Sequence, residues 1–427
     1  MLSTITGKYL RDNYKKLFLN NWLENKMSKQ KLKYPRQFWL MFAGMILSTL
    51  GTTMIWPFLM IYASETLGMP LGAIASLMTV NAAAGLLSSI VAGPVVDRLG
   101  RKGVMVVGLI GNGLCYFLLS TAQSYGAFAL ILGGSGIFSP LYRVGTDAML
   151  ADLFPQEKRA DAFALIRMAR NVGVATGPAI GGFVLAQSYD LGLYGAAAGL
   201  VLYGLMLLLF AKDTLPAEAR GGRATLRSQL EGYWYALRDK PFMGLVGAFT
   251  LVQMTASLIW VLLSVYVKTG FGISEQRYGW LATTNALMVV FLQVWVTRRT
   301  QQKPALHVMR WGAVFYIFAP LLIAFSTGYW GFWLAMVVLT LGELMVVPTA
   351  SALAANLAPM DKRGRYMSLY GLTWNLASGV SPLVGGLLSD ALGPRAPWFG
   401  GVVTGMLAVA AFWWLKARAD RKVTIIS

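Results

Sequence analysis

Twelve apolar runs, each near twenty residues long, constrain this chain more than any other feature. They fall at about 38–62, 73–96, 104–122, 126–151, 162–187, 191–211, 242–267, 278–297, 306–326, 330–355, 366–391 and 396–415. Each is close to the ~20 residues a helix needs to cross the hydrocarbon core of a bilayer. Inside lipid the backbone must satisfy its own hydrogen bonds, and at this length only a helix does so. Composition agrees: 56% of the 427 residues are hydrophobic and 13% are charged, about half the ~25% of a soluble domain. The sequence therefore predicts an all-α membrane protein with 12 transmembrane helices.

Charge sets the orientation. An even number of spans puts both ends of the chain on one side. That side carries 31 of the 37 Lys and Arg residues, and the other carries Lys268, Arg277 and Arg395. Arg143, Arg167 and Arg170 fall inside spans. Cytoplasmic loops are enriched in Lys and Arg. Both termini are therefore expected in the cytoplasm, and the protein in the plasma (inner) membrane. The same bias accounts for the net charge of +19 with no nucleic acid as partner. The single cysteine, Cys115, lies inside a run and has no partner within the chain for a disulfide. No metal-ligand spacing, nucleotide-binding loop or nucleophile-plus-base pattern is present, so neither a metal site nor an enzyme is expected. The single His307 falls in a basic loop. Residues 1–37 are basic and lack the compact apolar core of a cleavable signal peptide.

The largest polar stretch between runs, Lys212 to Pro241, divides them six and six, and the two sets look like copies. A shift of 204 residues aligns Ile55-Trp56 with Ile259-Trp260, Tyr62 with Tyr266 and Asn81 with Asn285. It also aligns Gly108 with Gly312, Asn171 with Asn375 and Gly181-Gly182 with Gly385-Gly386. One offset over most of each half argues for a duplicated six-helix unit with a substrate path between the copies. The expected organisation is a basic cytoplasmic segment (1–37), an N-terminal six-helix bundle (38–211), a cytoplasmic central loop (212–241), a C-terminal bundle (242–415) and a cytoplasmic tail (416–427).

Between spans two and three lies a dense polar turn, Gly93-Pro94-Val95-Val96-Asp97-Arg98-Leu99-Gly100-Arg101-Lys102. Gly93 would let span two approach a neighbour closely. Arg98 and the cations after it sit where the helix dipole favours positive charge. In this topology G-x-x-x-D-R-x-G-R-K resembles the signature of the major facilitator superfamily, over about residues 38–415. The resemblance implies two pseudo-symmetric six-helix bundles and secondary transport that needs no cofactor, with a proton gradient as driving force. It also implies a cytoplasmic gate, in which Asp97 meets the N-terminus of span eleven near Arg365 to Ser368 and Arg101 pairs with Asp152. The second copy has decayed: Gln301-Gln302 stands opposite Asp97-Arg98, and Asn356 opposite Asp152. The charged latch is therefore expected once.

Span five contains Gly173-x-x-x-Gly177-Pro178-x-x-Gly181-Gly182. This resembles the span-five motif of the superfamily's proton-coupled antiporters, with Ala164 where a further glycine is usual. Glycines at this spacing make a flat packing face, and Pro178 bends the helix. Span eleven carries the weaker copy Ala377-x-x-x-Ser381-Pro382-x-x-Gly385-Gly386. The fuller copy favours export over uptake.

Charges inside spans are costly and ask for a partner or a function. Arg143 and Asp147 lie four apart and share a face of span four, either as an ion pair or as part of proton coupling. Glu343, near the middle of span ten, has no cation within a helical turn and is the foremost candidate to bind and release a proton. Candidate cavity residues are Asn81, Asn285, Trp56, Trp260, Gln253, Tyr370 and Trp374. Trp39, Trp330, Trp333, Trp398, Trp413 and Trp414 lie near span ends and read as interfacial belt residues. No charge falls between Arg36 and Glu65, so the first-span acid of many drug exporters is missing. The expected function is proton-coupled export of a small hydrophobic or amphiphilic compound by a monomer with rocker-switch alternating access. A lipid or glycolipid flippase, a sugar or metabolite carrier and a non-transporting sensor on the same fold are the alternatives. Retention of Glu343, Arg143 and the polar turn together favours transport.

Overall fold

The computed structural model describes residues 34–215, 234–359 and 362–426. The basic segment before Tyr34 and the middle of the central loop, 216–233, lie outside them. The described residues contain twelve long helices. The first, α1 (Arg36–Leu67), is interrupted by a 3-10 turn at Trp56–Phe58, where Pro57 cannot donate to the helical ladder. The others are α2 (Leu71–Leu99), α3 (Arg101–Leu119), α4 (Tyr125–Leu153), α5 (Gln156–Leu185), α6 (Tyr189–Phe210), α7 (Lys240–Phe271), α8 (Glu275–Thr300), α9 (Ala305–Phe325), α10 (Tyr329–Leu357), α11 (Arg363–Leu392) and α12 (Ala396–Ile426).

Ten of these are long and apolar enough to cross a membrane by length and composition. The remaining two, α5 and α11, are repeat equivalents. Both carry the Gly/Pro segment, and both are packed against several helices: α5 on α8 and α6, α11 on α2, α7 and α12. Many helices outrun their apolar stretches. The 29 residues of α2 span about 43 Å at 1.5 Å per residue, against ~30 Å of hydrocarbon. Continuation of α12 to Ile426 makes residues 416–426, expected as a tail, part of that helix.

Local chemistry marks several ends. The Asp239 carboxylate caps α7 by accepting from the Phe242 N–H at 3.1 Å, and Ser124 caps α4 by accepting from the Ala127 N–H at 3.3 Å. Gly68 and Gly272, 204 apart, end α1 and α7 at φ of +58° and +62°. A side chain is strained there, which is why glycine stops both helices.

Packing repeats with the sequence. The pairs α2–α4, α3–α4 and α3–α6 recur as α8–α10, α9–α10 and α9–α12. The first six helices meet the last six mainly along α2–α11 and α5–α8, which the 204 offset interchanges. Glycines set the closest of these contacts. A Cβ on Gly173 would lie 2.8 Å from the Leu50 nitrogen, and one on Gly181 would lie 3.0 Å from the Met54 Cα and closer still to its carbonyl. The α5 glycine face therefore rests on the backbone of α1. Backbone cannot rotate away, so Gly181→Val is expected to cost about 3 kcal/mol or more and to remove most folded protein, read by size-exclusion after heating. Gly93→Ala should leave stability unchanged, because a Cβ there meets nothing within 4 Å. The close approach expected at Gly93 is not made in this conformation.

Two further expectations are corrected. Trp398 is fully buried rather than interfacial, with its ring 5.1 Å from that of Tyr266. His307 lies in the first turn of α9, not in a loop, beside a buried Arg310 whose guanidinium sits 4.0 Å from the Trp413 ring centre.

Candidate functional site

Three candidates from separate spans converge in the last six helices. The Glu343 carboxylate on α10 accepts from Asn285 Nδ2 on α8 at 2.6 Å and from Trp260 Nε1 on α7 at 3.3 Å. Asn285 also donates to Thr340 Oγ1, one turn from Glu343, at 2.9 Å. Both donors to Glu343 are neutral, and among the described residues no Lys or Arg lies within ion-pair distance of it.

The repeat equivalents Trp56 and Asn81 line a cavity of about 220 Å³ in the first six helices. Other candidates lie elsewhere. Gln253 is buried on α7. Tyr370 and Trp374 join Phe249 in an aromatic cluster with ring centres 4.9 and 5.1 Å from it, and Tyr370 OH bonds Ser351 Oγ at 3.1 Å. These rings pack α11 on α7 and α10. Arg143 and Asp147 share a face but form no ion pair within 4 Å, and both side chains are exposed.

At the polar turn, Arg101 is the hub. It pairs with Asp97 and with Asp152, each at 3.1 Å. Asp213, just past α6, accepts from the Arg101 N–H at 3.1 Å and fills the space beside Gly100, whose φ is +91°. Thr214 donates to Asp152 at 2.9 Å. The segment after α6 thus clasps the turn, a role for Asp213 that sequence reading missed because the two lie 112 residues apart. The Asp97 side chain is 61% exposed, so the α11 N-terminus does not cover it.

The opposite face is closed. Lys268 on α7 pairs with Glu275 on α8 and, at 2.5 Å, with Glu65 on α1. Tyr189 on α6 donates to Glu275 at 2.6 Å. Asp390, at the C-terminal end of α11, accepts from the N–H groups of Leu71 and Gly72 at 2.9 and 2.7 Å. It thereby caps the N-terminus of α2. Gly386 abuts Gly72, and Gly182 abuts Gln276, the same contact made twice at the 204 offset. None of Glu65, Lys268, Glu275 and Asp390 stood out in the sequence, since each is an ordinary span-end charge until its partner is placed.

Comparison with known proteins identifies the architecture. The family model described as Major Facilitator Superfamily matches residues 41–258 and 245–426. The chain is 28% identical over 385 residues to the "Na(+), Li(+), K(+)/H(+) antiporter" of Planococcus maritimus, covering 81% of this chain and 86% of that one. It is 22% identical over 356 residues to the quinolone resistance protein NorA of Staphylococcus aureus, covering 83% and 90%. Among solved structures, a POT family transporter in complex with a thioalcohol-conjugated peptide superposes with a TM-score of 0.75 at 18% identity, covering 92% of this chain and 98% of that one. The chain is a multi-pass integral membrane protein and belongs to the Major Facilitator Superfamily of secondary transporters.

Proposed function

We propose that this transporter is a proton-coupled antiporter that exports a small hydrophobic or amphiphilic compound across the plasma membrane, acting as a monomer with both termini in the cytoplasm. The observation that carries the reading is Glu343, a carboxyl deep in a span, held by two neutral donors and, among the described residues, no cation. Such a group accepts and releases a proton without leaving a counter-charge stranded. The names of the relatives, one a cation/proton antiporter and one a quinolone resistance protein, support exchange rather than uptake. In the rocker-switch cycle, the Lys268 and Asp390 contacts hold the outer face shut while the Asp97 face admits cargo.

The Planococcus relative favours a second reading, exchange of an alkali cation for the proton. Proteoliposomes with an imposed pH gradient and a pH-sensitive dye separate the two. Organic compounds that collapse the gradient only in the presence of the protein support drug-like export. Collapse by Na⁺ or K⁺ alone supports cation exchange. A gradient that no solute in either set perturbs would sink proton coupling.

A further inference from the structure

We propose that the cavity of the first six helices recognises an uncharged, hydrogen-bonding part of the transported compound, apart from the carboxyl cluster around Glu343. This rests on the transporter reading above and adds the chemistry of its cargo.

The repeat supplies the argument. The cluster Trp260, Asn285 and Glu343 has its counterpart, 204 residues earlier, in Trp56, Asn81 and Ser139. In the second copy Glu343 occupies Asn285 and Trp260, and the fully buried ring of Tyr316 fills the neighbouring space. In the first copy Asn112 stands where Tyr316 stands, and Ser139 where Glu343 stands. With these two smaller side chains about 220 Å³ stays open, room for several waters.

The polar groups around this space are unspent. Asn112 is 3% exposed, and its Oδ1 accepts from Ser135 Oγ at 2.7 Å, which leaves its amide N–H groups without a protein partner. Asn81 gives its amide to the Leu132 carbonyl at 2.9 Å, which leaves Oδ1. The hydroxyls of Tyr116, Ser139 and Tyr142 and the indole N–H of Trp56 bond nothing in the protein. Trp56 is 38% exposed and none of these atoms is sealed from solvent, so water serves them in the open cavity and the polar groups of a ligand can take its place. No Asp, Glu, Lys, Arg or His lines the cavity. A charged group entering it would lose water without gaining a counter-charge. A neutral hydroxyl- or amide-bearing group would satisfy both the donors and the acceptors. Duplication has thus produced two copies of one site, one reserved for the proton and one left for neutral cargo.

The test uses purified full-length protein and three probes: chloramphenicol (neutral amide diol), tetraphenylphosphonium (cation) and benzylpenicillin (anion), with binding measured by calorimetry. Only the neutral probe is expected to bind. Ser139→Glu and Asn112→Leu should each weaken it by about tenfold or more, the worth of one or two hydrogen bonds. Binding of a charged probe in the cavity, or neutral binding indifferent to both substitutions, overturns the proposal. A second measurement does not depend on probe shape. Ser139→Cys in a Cys115→Ala background is labelled with methyl methanethiosulfonate and with its trimethylammonium and sulfonate analogues. Relative to free cysteine, the neutral reagent should react about tenfold faster or more; equal rates, or a preference for either charge, overturn it. Failure here alongside loss of proton movement in Glu343→Gln leaves the antiporter reading standing. The reverse pattern removes the proton assignment and keeps the recognition site.

Discussion

The Glu343→Gln variant is expected to fold, to keep its place in the membrane and to lose substrate-driven proton movement down to the level of protein-free vesicles. The substitution is nearly isosteric. The amide still offers one oxygen to Asn285 or Trp260, so the local cost is a weakened hydrogen bond, about 1 kcal/mol. A carboxyl can be emptied and refilled with a proton on each cycle, and an amide cannot. The informative comparison is Asp147→Asn. Asp147 is the other in-span acid proposed for coupling, but it is exposed and makes no ion pair with Arg143. It is expected to slow exchange without uncoupling it. Dye quenching under a pH gradient, with substrate counterflow measured in the same vesicles, separates the outcomes. Counterflow should survive in Glu343→Gln because it needs no net proton transfer. Uncoupling by Asp147→Asn with coupling intact in Glu343→Gln would move the proton to α4.

Much of this arrangement was readable from residues alone, and the parts that were not share one cause. The offset of 204 located the repeat, and the structure realises it as paired contacts such as Gly182 on Gln276 and Gly386 on Gly72. Periodicity and charge count need no knowledge of partners, so they survive translation into a fold. The convergence of Trp260, Asn285 and Glu343 was only half visible: each was a polar or aromatic residue in a span, but their meeting depends on helix rotation. Asp213 and Asp390 were invisible, because a carboxylate that caps another helix across 112 or 318 residues has no local signature. Trp398 misled for the same reason, since a tryptophan near a span end turns toward lipid or toward Tyr266 according to what stands beside it.

Asp390→Asn is expected to raise the population open at the face that Asp390 closes, and Asp97→Asn to lower it. The helices α2 and α11 run antiparallel. Gly72 lies against Gly386, and seven residues on, Thr79 donates to the carbonyl of Gly379, seven residues back. Continued at that register, α2 brings Asp97 level with the N-terminal end of α11. Each helix therefore carries an acid near its C-terminal end, facing the N-terminal end of the other. The Asp390 end is engaged here through the N–H groups of Leu71 and Gly72, while the Asp97 side chain is exposed. Closing one end and opening the other would exchange one carboxylate–helix contact for its mirror image, so the two states stay close in energy. Removing the charge from an exposed cap costs roughly 1 kcal/mol, about a fivefold shift in the equilibrium. Spin labels at Gln123 and Thr327, both exposed in the turns after α3 and α9 on the face that Asp390 closes, report the result as a distance distribution in a Cys115→Ala background. The longer distance should gain weight in Asp390→Asn and lose it in Asp97→Asn. Shifts of the same sign in both variants would show that the two acids do not oppose one another, and an unchanged distribution in Asp390→Asn would remove it from the gate.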